Sequence, residues 1–102
     1  MTTFGDDVQF EAMVHPGESV DSYMERLRDL ARDADGRFEA AVRELVQARK
    51  DLATARQAGA SLKAITEAMD ATSAAARKVG SARYRKQSSE FFIQDAIYRI
   101  TG

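Results

Sequence analysis

An apolar residue recurs every three or four positions from Val20 to Ala55, and nothing interrupts the alternation. The series is Val20, Met24, Leu27, Ala31, Ala34, Phe38, Ala41, Leu45, Ala48, Leu52 and Ala55. This period belongs to an α-helix with one apolar stripe, which has to be covered by another helix. Many stripe positions are alanine, so the covering helix can come close. Glu44/Arg49 and Asp51/Arg56 have the spacing of interhelical ion pairs in parallel coiled coils, so the cover could be a second copy. It could equally be a later part of the same chain. Gly36 lies inside the repeat and costs about 1 kcal/mol relative to alanine in a helix. One long helix over residues 19–58 is therefore the expectation, with a two-helix hairpin broken near Gly36 as the alternative.

The flanking residues supply boundaries. Ser19 or Ser22 can cap the first helix, and Ser22-Tyr-Met-Glu25 fits a capping box. Gly59 is placed to end it, and Ser61 to cap the next. Ahead of Pro16, the alternation of Val8, Phe10, Ala12 and Val14 predicts a short strand or an extended arm within residues 1–18. Beyond Ser88 or Ser89, the residues Phe92, Ile93, Ala96, Ile97 and Ile100 predict a last apolar helix over 88–102, widened by Phe91 and Tyr98. The 102 residues hold one all-α domain.

Composition narrows the function classes. With no cysteine and a single histidine, His15, the chain lacks a thiolate or histidine cluster for a metal, and no nucleophile with a matched base is visible. No catalytic residue, cofactor or metal is therefore expected, and the chain reads as a non-enzyme. No apolar run reaches the roughly 20 residues of a membrane span, and Met1 to Asp7 lacks the pattern of a secretion signal, so a cytoplasmic protein is expected. The formal net charge of −1 hides an asymmetry. Asp6, Asp7, Glu11, Glu18, Asp21 and Glu25 precede the first arginine, whereas Ala71 to Ser89 carries Arg77, Lys78, Arg83, Arg85 and Lys86 with no acid.

That basic stretch belongs to a segment, Ala58 to Arg85, reading AGASLKAITEAMDATSAAARKVGSARYR. It resembles the helix-turn-helix of bacterial transcription regulators, in which Gly-x-Ser-x-x-x-Ile opens the first helix and Thr or Ser caps the second. Thr66, Asp70 and Ala76 depart from the family pattern. The resemblance implies a turn at Asp70-Ala71-Thr72 and a recognition helix from Ser73 to Val79 lying in the major groove of double-stranded DNA. It further implies that Thr72, Ser73, Ala74, Arg77, Lys78 and Ser81 face bases or phosphates, with Arg83, Arg85 and Lys86 on the backbone nearby. On this reading the chain is a homodimeric, sequence-specific regulator, with residues 61–86 on DNA and the long and last helices forming the dimer contact. The alternative is an ordinary helical hairpin in a protein–protein interaction module, an adaptor, an antitoxin-like or phage-encoded inhibitor, or an assembly subunit that works through its long helix.

Overall fold

The computed structural model describes residues 11–101. Two long helices account for nearly all of them, α1 over Val20–Gln57 and α2 over Leu62–Thr101, and no strand occurs among the described residues. They fold back on one another as an antiparallel hairpin. The molecule measures 61 × 26 × 20 Å with a radius of gyration of 18.9 Å, against about 13 Å for a compact domain of this length.

The signals at the helix ends act as the sequence suggests. Ser19 is the N-cap of α1, its hydroxyl accepting the N–H of Ser22 at 3.1 Å. At the other end Gly59 takes a left-handed φ of 65°. This lets the Gly59 N–H reach the Arg56 carbonyl and the Ala60 N–H reach that of Ala55, the two bonds of a Schellman ending. Ser61 then starts α2 by accepting the N–H of Ala64 at 3.2 Å. Gly36 does not break α1; it points into open space on the outer side of a continuous helix.

The stripe from Met24 to Ala55 lies inward throughout, and only its first member, Val20, is exposed. Its cover comes from the same chain. A matching 3-4 repeat runs along α2 through Ile65, Ala68, Thr72, Ala75, Val79, Ala82, Lys86, Ser89, Ile93 and Ala96, all buried or half-buried. Alanine supplies most of the fully buried positions, so the two backbones approach closely. Leu27, Met24, Ala12 and Ala96 form an apolar cluster at the end of the hairpin away from the turn, with Tyr23, Leu30, Phe92 and Ile93 packed around it.

Three expectations change. The turn at Asp70-Ala71-Thr72 is absent, because α2 passes through it without interruption. Thr72 caps nothing; its hydroxyl donates to the Ala68 carbonyl at 2.8 Å, the back-bond of a mid-helix threonine. The separate last helix is the distal half of α2, so the helix-turn-helix arrangement gives way to one rod. Of the expected strand, Val8 and Phe10 lie outside the described residues, as do Asp6 and Asp7, while Ala12 and Val14 are not in a strand.

Residues 11–19 form a strap across that open end. The Tyr23 hydroxyl donates to the Ala12 carbonyl at 2.6 Å, and the Arg26 guanidinium donates to the Glu11 and Met13 carbonyls and to the Glu18 carboxylate. Ala12 is thereby seated in the core.

Candidate interaction surface

A repeating hairpin places each residue by its distance from the seam. By heptad register the α2 backbone positions farthest from the seam are Lys63, Asp70, Arg77, Tyr84, Phe91 and Tyr98, seven residues apart. The first three are charged, as is normal for a solvated ridge. The last three are aromatic and exposed, Tyr84 at 48 %, Phe91 at 62 % and Tyr98 at 75 %. They run about 21 Å along the helix.

The residues flanking this line on the outer side are Gly80, Ser81, Gln87, Ser88, Gln94 and Asp95, so one charge flanks the three rings, that of Asp95, which is paired with Arg99 at 3.1 Å. The outer ridge of α1 is the opposite case, with Asp29, Gly36, Arg43 and Lys50 at the corresponding positions. In a chain with 30 % charged residues, an uncharged aromatic ridge is a local exception. Its central ring is also held in place: Phe91 meets Phe92 edge to face, with centroids 5.6 Å apart, and Phe92 packs on the Leu27 cluster.

The residues anticipated as DNA contacts separate onto different sides of α2. Ala74, Arg77, Lys78, Ser81 and Arg85 line a shallow groove of about 570 Å³ between the helices, shared with Arg37, Ala40, Ala41 and Glu44. Ser73 is exposed, Thr72 is half-buried against α1, and Arg83 and Lys86 lie on other faces. Several of the cations are engaged within the chain. Lys78 bridges to Glu44 at 3.2 Å, Arg85 to Glu11 at 2.6 Å and Lys86 to Asp35 at 3.0 Å. Arg77 makes no ion pair with another described residue.

These bridges follow from the antiparallel register. The pairing of Glu44 with Lys78 sets Arg37, seven residues back, level with Arg85, seven residues on, so two like charges confront each other across the seam. Glu11 from the strap answers one and Asp33, on α1 itself, the other. On the opposite flank, Lys86 lies 5.0 Å above the centre of the Phe38 ring, and its ammonium is held in the charged form chiefly by the bond to Asp35, with Glu90 and Glu39 adding to the field. Lys78 and Lys86 thus join the two helices, and Arg85 ties α2 to the strap, where phosphate contact was expected.

Comparison of the chain with protein-family models, curated proteins and solved structures gives no match. The surface is therefore read from its own chemistry. No helix among the described residues is long and apolar enough to cross a membrane, and no group of three or more potential metal ligands is gathered there.

The sequence reading missed the aromatic ridge because it divided the segment at residues 70–72 and 86–88. Tyr84 then belonged to a basic stretch, while Phe91 and Tyr98 widened a different helix. The signal available was the spacing of seven, which has meaning only along one continuous helix.

Proposed function

We propose that this chain is a non-enzymatic helical interaction module that receives a helical protein segment along the outer face of α2 from Gly80 to Tyr98. The observation that carries the reading is the exposed, uncharged line of Tyr84, Phe91 and Tyr98. Aromatic rings supply large contact area at small entropic cost and dominate the centres of protein interfaces, while charge is depleted there. A two-helix hairpin offers such a line to a third helix with the seven-residue period that helix packing uses. Exchange of Phe91 for a photoreactive phenylalanine analogue in the native cell tests it. Irradiation should join the chain to a polypeptide through position 91, and a chain that stays uncoupled at every expression level overturns the proposal.

A second reading, binding of double-stranded DNA, is favoured by one observation: Ala74, Arg77, Lys78, Ser81 and Arg85 share a groove. On a continuous helix such contact would fall on phosphates, and so be strongly salt-dependent and indifferent to sequence. Titration of unrelated duplexes at two salt concentrations separates the readings, because docking by the aromatic ridge predicts no duplex affinity sensitive to Arg77→Ala.

A further inference from the structure

The open end of the hairpin carries a second surface, separate from the outer face of α2, and its occupant belongs to the chain itself. We infer that the strap is an exchangeable internal ligand, and that the site beneath it receives a peptide segment in which an acid is followed directly by alanine.

The site holds main chain. Three successive strap carbonyls accept from side chains of α1, those of Glu11 and Met13 from the Arg26 guanidinium and that of Ala12 from the Tyr23 hydroxyl at 2.6 Å. Carbonyls are common to every peptide, so these bonds retain a chain without reading its side chains. Selection comes from the two positions where side chains enter. The Glu11 carboxylate meets Arg85 at 2.6 Å, and the Ala12 methyl group joins Met24, Leu27 and Ala96, whereas Met13 and Val14 face solvent. The ligand is therefore an acid, a small apolar residue and a third residue of any kind. The holding groups are arranged on α1 itself: Arg26 lies 5.4 Å from the centre of the Tyr23 ring, and Glu18, next to the N-cap, accepts from its Nε and Nη2 at 3.0 and 2.9 Å. Glu18 is in this sense a positioning residue, which leaves the other guanidinium N–H groups aimed at the carbonyls.

Three observations mark the strap as a removable occupant. Ala12 is the only buried residue of 11–19, so a single methyl group is its apolar hold, and its hydrogen bonds can be exchanged for those of water or another chain. The far part of the strap closes on itself. The Glu18 N–H donates to the His15 carbonyl at 3.0 Å around Pro16 and Gly17, whose φ is 77°, a turn that needs nothing from the hairpin. The strap also leaves its site incompletely used, because the buried Arg85 Nε has no acceptor among the described residues. Glu11 engages Nη2 alone, where a carboxylate placed as Glu18 is on Arg26 would engage both N–H groups of that edge.

NMR of the isotope-labelled full-length chain carrying Ala12→Asp tests this, since the buried charge should lift the strap and free the site. Amide shifts of Tyr23 to Leu30 and of Phe92 to Ala96 should change, while those beside the turn at Gly59 stay at their wild-type values. A blocked peptide of residues 11–18, in millimolar excess, should return the open-end shifts toward the wild type. The same peptide with Ala12→Asp should have no effect, and one with Glu11→Gln should bind several-fold more weakly. Open-end shifts that ignore Ala12→Asp, or a wild-type peptide that does not restore them, overturn the inference. Shifts that change along the whole hairpin overturn it too, because the strap would then be part of the fold. The crosslink at position 91 probes the outer face of α2 and is independent of these results.

Discussion

Glu18 shows how much one ion pair can organise at the end of a hairpin. Its carboxylate accepts from Arg26 and from the His15 N–H, and the Arg26 guanidinium also holds the Glu11 and Met13 carbonyls, so the strap depends on this pair. The Arg26 bond, followed by the His15 N–H, lowers the Glu18 pKa from its ordinary 4.5 to about 2. Because the folded value lies below the unfolded one, the contribution of this carboxylate to stability is complete above pH 4.5 and is lost as pH falls toward 2. Titration of the Glu18 carboxyl carbon by NMR should give a midpoint near 2, and Glu18→Gln should erase the loss of thermal stability in that window; a midpoint at 4.5 would show that the pair does not form. Lys86 and Ser89 make a different point. Both occupy inward positions of the α2 repeat, the lysine reaching out to Asp35 over the Phe38 ring and the serine donating back to the Arg85 carbonyl at 2.8 Å. Polar side chains at seam positions are tolerated when each finds a partner nearby.

The two helices were unequally legible in the sequence. α1 could be read almost entirely, because Met24, Leu27, Phe38, Leu45 and Leu52 mark the stripe with large apolar side chains and Ser19 and Gly59 mark its ends. α2 could not, since its seam is written with Ala68, Thr72, Ala75, Ala82, Lys86 and Ser89, where apolar contrast is low. Thr72 after Asp70-Ala71 carries the chemistry of a helix cap, and local propensity there gave way to the cover offered by α1 across the whole length. Gly36 belongs to the same scale. Its added Cβ would meet nothing within 4 Å and its φ is helical, so Gly36→Ala should stabilise the hairpin by about 1 kcal/mol, read as a raised midpoint in urea with an unchanged slope. A lowered midpoint would mean that α1 bends at this residue.

At the scale of the whole molecule, the hairpin is long and thinly cored. Among the described residues the buried apolar ones are mostly alanine, with Leu27 the only large apolar side chain that is fully enclosed. An elongated pair of helices with so little enclosed surface has reason to bury more by association, and the ridge of Tyr84, Phe91 and Tyr98 is where uncharged surface is available. The positions of Tyr84, Phe91 and Tyr98 on one line, like the placing of Arg77 and Lys86 on different faces, exist only if α2 is unbroken through Asp70-Ala71-Thr72. The chain has no cysteine, so Lys63→Cys with Gln94→Cys provides two specific sites for spin labels. Pulsed electron-electron double resonance on the labelled chain, diluted in excess unlabelled protein, should give a distance centred at about 47 Å from the rise of a continuous helix. A distribution centred below about 35 Å would mean that the chain turns between those positions, and the account of the ridge would then be wrong.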